Sequence, residues 1–81
     1  MKTGAYSTGE VARLTGIGHG EVVRLIDDGH LPGFRIPNST HRRVGRMELL
    51  KFMLAWGIPT DPLGELSVEE RKLVAAKVAS E

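Results

Sequence analysis

The sequence predicts a mainly α-helical domain that carries one small β-hairpin, and three observations predict it. Two short segments with helical apolar spacing are separated by a glycine-containing turn. A stretch with four arginines and no acid lies between apolar anchors, and a strongly apolar segment from Arg46 to Trp56 follows it.

The first helix is signalled by Ser7 followed three residues later by Glu10, the spacing at which each side chain reaches the other's backbone N–H. Val11, Ala12 and Leu14 supply its apolar face, and Gly16 suits the left-handed residue that closes it, so the helix runs from about residue 8 to 15. After the brief Ile17-Gly18 connection, Val22, Leu25 and Ile26 recur at helical spacing until Gly29, with Pro32 just beyond. Two short helices joined by a turn containing glycine form a helix-turn-helix. Projected around its axis, the second helix buries Val22, Leu25 and Ile26. It turns Gly20, Arg24 and Asp27 outward, with His19 and Val23 on a flank. Arg24 is the outward side chain able to make a bidentate contact with guanine. Val23 suits a thymine methyl, and Gly20 lets the backbone come close to a partner. The ordinary alternative for Arg24 is an ion pair with Asp27 or Asp28.

Residues 33 to 46 read as two short strands around a Pro-Asn-Ser-Thr turn. Alternation along a strand puts Phe34 and Ile36 on the core and projects Arg35 the other way. A hairpin of this size needs support on its apolar side, which the neighbouring helices supply. In the third helix only Glu48, Lys51 and Ala55 are not greasy, so the apolar surface passes half the circumference and predicts cover from two directions. Phe52 and Trp56 are therefore expected in a core or interface rather than as platforms for bases. Residues 58 to 66 form a loop. Ser67 with Glu70 then repeats the capping pattern and starts a C-terminal helix from Val68 to Ala79. Its apolar stripe of Val68, Val74, Ala75, Val78 and Ala79 is interrupted by Arg71. That helix is expected to pack on the domain or on a partner, with cover from within the chain the favoured arrangement.

The organisation that follows is a flexible tail at 1–5, a domain at 6–57, a loop at 58–66 and a C-terminal helix at 67–81. Eighty-one residues leave room for one modest core and none for a catalytic lobe. The chain has no cysteine, which removes disulfides and thiolate metal sites. His19, His30 and His41 recur every eleven residues, but no carboxylate sits beside them at ligand spacing, so no metal is expected. Ser7 and Ser67 are explained as caps and no acid-base dyad is visible, so the expectation is a non-enzyme without cofactors. No run approaches the roughly 18 apolar residues that span a bilayer, and a cytoplasmic chain with no membrane partner is expected. The net charge of +1 conceals a division. Residues 1–57 carry eight basic and five acidic side chains, residues 58–81 three and five, and the hairpin alone is +4. A local potential of this kind suits a polyanion. Arg13 is read as solvent-facing, and Lys2 as a tail residue able to touch a backbone nonspecifically.

The run from Tyr6 to Ile17, YSTGEVARLTGI, resembles the opening of excisionase-like and BldC-like DNA-binding domains of the MerR superfamily. The stretch DGHLPGFRIP from Asp28 to Pro37, together with His41-Arg42-Arg43, is similar to the wing of that family. The resemblance covers about residues 6 to 56 and implies a winged helix-turn-helix: helix-turn-helix, two-stranded wing, third helix, and here an added C-terminal helix. It implies major-groove contacts from His19, Gly20, Val23 and Arg24, and wing contacts from Arg35, His41, Arg42 and Arg43; Arg46, which ends the basic hairpin, is also expected to contact DNA. This chain departs from the family's usual recognition-helix start, having Gly18-His19-Gly20-Glu21, and has Leu25 where an aromatic is common. The long dimerisation helix and effector domain of MerR proteins proper are not matched, so no small-molecule effector is expected.

The resulting expectation is a small bacterial or phage-encoded, nucleoid-associated transcriptional regulator on double-stranded DNA, with self-association on DNA or homodimerisation open. With about four to six phosphate contacts, log affinity should fall with log salt at a slope near −4 to −5. Two alternatives stand beside it: an excisionase-like DNA-bending or phage packaging factor, and an adaptor that binds proteins instead of DNA.

Overall fold

A computed structural model describes residues 4–39 and 41–80. In chain order the elements are β1 (Ala5–Ser7), α1 (Thr8–Thr15), α2 (His19–Asp27), β2 (Phe34–Arg35), β3 (Arg42–Gly45), α3 (Arg46–Trp56), a 3-10 turn at Asp61–Leu63, and α4 (Val68–Ser80). The fold is mainly helical with a small antiparallel sheet, a winged helix-turn-helix with an added C-terminal helix.

Local capping sets the helix limits. At α1 the Glu10 N–H donates to Ser7 Oγ (3.2 Å) and the Ser7 N–H to Glu10 Oε1 (2.8 Å). Gly16 ends the helix at φ 78°, a conformation that costs glycine nothing. Ser67 and Glu70 exchange the same pair of bonds at the start of α4. The start of α2 has no such support, because Gly18 stands at its cap and has no side chain to offer.

The core lies between the sheet and the helices. Val11, Val22, Leu25, Leu31, Val44, Leu49, Leu50, Phe52 and Met53 are buried, with Tyr6 and Leu63 sealing its edge. Burial of this apolar surface is what holds the small hairpin in place.

The structure revises several of the expectations. The sheet has a third strand: β1 pairs with β3, giving the order β1-β3-β2. Of the expected tail at 1–5, residues 1–3, including Lys2, lie outside the described residues, whereas Ala5 faces Gly45 in the sheet. Phe34 is not a core residue. The register places it opposite Arg43 and Arg35 opposite Arg42, and facing residues of paired strands share a face. Tyr6 and Val44 define the face packed on the helices. Arg42, two residues before Val44, shares it with Arg35, while Phe34 and Arg43 point away. Phe34 is accordingly 54 % exposed. Trp56 is also 54 % exposed, its ring tilted 34° against buried Phe52 with centroids 4.9 Å apart, so the end of α3 lies open. Finally, α4 reaches the core through Leu73 and Val74, with Leu66 just ahead of it. Its Val68, Ala75, Val78 and Ala79 stripe faces solvent, and Val78 is 67 % exposed.

Candidate nucleic-acid interface

The wing is built by a tight turn. Ser39 N–H donates to the Ile36 carbonyl (3.1 Å), Pro37 holds the second turn position, and Asn38 takes the positive φ of 62° that the third position of a type II turn demands. Ile36 N–H then bonds to the His41 carbonyl (3.1 Å), and His41 N–H to Ser39 Oγ (3.0 Å). Thr40, part of the expected basic hairpin, lies outside the described residues. The base of the wing is pressed against α2 at Gly33. A Cβ there would meet the Arg43 carbonyl oxygen at 3.0 Å and Ile26 Cγ2 at 3.1 Å, so only glycine lets the strand lie this close.

The wing's cations divide between its faces. Arg35 is exposed on the α2 side and Arg43 half-buried on the other, and among the described residues neither forms an ion pair. Arg43 donates to the backbone, from Nη1 to the Arg42 carbonyl (3.4 Å). Arg42 is held by its own protein: Nε donates to Asp27 Oδ1 (3.0 Å) and Nη2 to Asp27 Oδ2 (3.2 Å), a fork across both oxygens.

Arg46 is removed from the expected contact set. Its Nε and Nη2 donate to Glu70 (2.7 and 3.3 Å), Nη1 to Tyr6 OH and the Leu63 carbonyl (2.6 and 3.1 Å), and Nη2 also to the Glu65 carbonyl (3.1 Å). A guanidinium has five N–H donors, and these bonds engage all of them. Glu70 is 6 % exposed. The hydrogen bonds from Arg46, and then that from the Ser67 backbone, hold its carboxyl below the usual carboxylate range. Arg46 is raised in turn, chiefly by Glu70. The pair thus ties β1, α3, the 3-10 turn and α4 together. It borders an open groove of about 910 Å³ beside Ala5 and Leu66, and among the described residues no buried polar side-chain atom lacks a partner.

On α2, His19 and Gly20 are exposed and Val23 is half-buried. His19 Nε2 and Thr8 Oγ1 share a 2.7 Å hydrogen bond that ties the start of α2 to the start of α1. Arg24 is exposed, 3.5 Å from Glu21 rather than from Asp27 or Asp28, a surface pair of little energetic weight. The outward residues of the helix and the α2 side of the wing adjoin at Asp27 and Arg42.

A family model described as a helix-turn-helix domain matches residues 5–56, more than half of the chain. The chain belongs to the helix-turn-helix domain family. The match spans everything from β1 to the end of α3, so the added α4 lies beyond it, and it supports a DNA-binding domain. No curated protein and no solved structure matches the chain. Among the described residues, no helix of this helix-turn-helix protein is long and apolar enough to cross a membrane. Among the same residues no group of three or more His, Cys, Asp or Glu could hold a metal ion.

Sequence reasoning missed Asp27 as a partner of the wing and Tyr6 as a partner of Arg46. Both partners are distant in sequence, fifteen and forty residues away. The signal that could have found the first is the acid on the outward side of the last turn of α2.

Proposed function

We propose that this protein is a cytoplasmic transcriptional regulator of the effector-free, excisionase-like or BldC-like branch of the MerR superfamily, acting on duplex DNA. The observation that carries the reading is the placement of Arg35 and Arg43 on opposite faces of one projection, neither with an ion pair among the described residues. Cations on both faces suit an element flanked by phosphates on both sides, as a wing entering a groove is. The helix contributes Arg24 to base edges, Val23 to a thymine methyl, and Gly20 and His19 to close approach. His41 sits at the wing's turn, within reach of a backbone. With Arg46 engaged inside the domain, about three to five phosphates are contacted, and the salt slope becomes about −3 to −4.5.

Fluorescence anisotropy of a labelled generic duplex, titrated from about 50 to 200 mM salt, tests this. Binding that weakens along that slope is expected, and affinity indifferent to salt overturns it. A second reading, a protein-interaction adaptor without DNA binding, is favoured by one observation: exposed Glu21 and Asp27 accompany the single cation Arg24 on the solvent side of α2. A duplex left unbound at low salt selects the adaptor.

A further inference from the structure

Asp27 is the least expected residue on the proposed DNA-facing surface. It ends α2, it is exposed, and a carboxylate there repels the phosphates that the wing attracts. Its two oxygens nevertheless receive Arg42 in the geometry a phosphate would use, at 3.0 and 3.2 Å. The Arg42 side chain is only 17 % exposed. It lies by the last turn of α2, where the negative end of the helix dipole favours a cation, and Asp28 adds a further negative charge at the cap. Its neighbour across the strands, Arg35, is exposed and among the described residues has no such acid.

We propose that Asp27 is a positioning residue that clasps Arg42, fixing the wing's angle to the recognition helix and withholding one wing cation from the DNA backbone. This rests on the DNA-binding reading above. The clasp divides labour between two adjacent arginines: Arg35 meets phosphate, and Arg42 holds the element that carries it. Nonspecific attraction is thereby reduced by one contact, so a larger share of the discrimination between sequences falls to α2 and the wing's fixed register.

The test compares wild type, Asp27→Asn, Asp27→Ala, Arg42→Gln and Asp28→Asn as full chains, each checked by circular dichroism, on a labelled random-sequence duplex. Asp28→Asn removes the same charge from the same helix end without touching Arg42. Freed Arg42 gains a phosphate, so both Asp27 variants should bind more tightly at low salt with a slope steeper by about 0.9. Between about 50 and 200 mM salt, their advantage over wild type should shrink about threefold. Asp28→Asn should leave the slope where it is, and so should Arg42→Gln, a result that a phosphate-contacting arginine would not give. Wild-type slope in the Asp27 variants, or a shallower slope in Arg42→Gln, overturns the clasp while leaving DNA binding intact. Failure of wild type to bind any duplex overturns the DNA-binding reading itself, and the clasp with it.

Discussion

Replacing Glu70 by alanine breaks the Arg46–Glu70 pair through which four segments are tied together. Three bonds are lost at once: those from Arg46 Nε, Arg46 Nη2 and the Ser67 N–H. Charge-assisted hydrogen bonds contribute about 1.5–3 kcal/mol each, but the released donors recover part of this by hydration. Arg46 keeps 23 % of its side chain exposed, so water reaches it. Breaking one side of a buried pair costs about 3–5 kcal/mol, and the partial exposure puts this case near 3. A domain of this size holds only about 4–12 kcal/mol in total, so the variant loses a large fraction of its stability. The melting temperature should fall by roughly 12–24 °C, at about 4–8 °C per kcal/mol. Urea unfolding followed by circular dichroism and by Trp56 fluorescence measures it. A loss under about 1 kcal/mol would refute the claim that this pair joins α4 to the domain.

Acid provides an independent check on the same carboxylate. Because the folded protein holds Glu70 below its ordinary pKa, its contribution is complete above the unfolded value. It disappears as pH falls through the lowered folded value. The stability gap between wild type and Glu70→Gln should therefore be widest near neutrality and close progressively below roughly pH 4. A gap that stays constant on acidification would show that the charge of Glu70 does not matter.

Other perturbations follow from the same geometry. Reversing Arg35 and Arg43 to glutamate should lower duplex affinity at least tenfold and more than Arg24→Ala does, read by anisotropy at low salt; near-normal binding would remove the wing from the interface. Deleting residues 58–81 takes away Leu63, Glu65 and Glu70 together, so thermal stability should fall at least as far as in Glu70→Ala, and an unchanged melting curve would show that the tail covers nothing. Gly33→Ala should cost about 1–3 kcal/mol in urea unfolding, because the Arg43 carbonyl it would strike belongs to the central strand and is held from both sides. Val78→Asp should change stability by less than about 0.5 kcal/mol, since the side chain meets solvent; a large loss that depends on protein concentration would reveal a partner on that stripe.

The features legible in the residue order are those made by neighbours three or four positions apart. Ser7 with Glu10 and Ser67 with Glu70 are readable because a cap is a local contact. The same holds for Gly57 at the end of α3 and for the apolar spacing of Val22, Leu25 and Ile26. The helix-turn-helix and the basic wing were legible on those grounds. Tertiary structure alone decided which way things face. β1 exists because β3 offers it an edge, and Ala5-Tyr6-Ser7 is too short to announce a strand. In a strand as short as Phe34–Arg35, a shift of one residue in pairing exchanges the two faces, and composition cannot choose between them. Periodicity groups Val68, Ala75 and Val78 on one side of α4 without saying that the side is outward; the distant pairing of Arg46 with Glu70 settles that. The same long-range contacts sort the arginines, because a guanidinium's role depends on which carboxylate folding brings to it. Asp27 takes Arg42, Glu70 takes Arg46, and among the described residues Arg35 and Arg43 have no carboxylate partner.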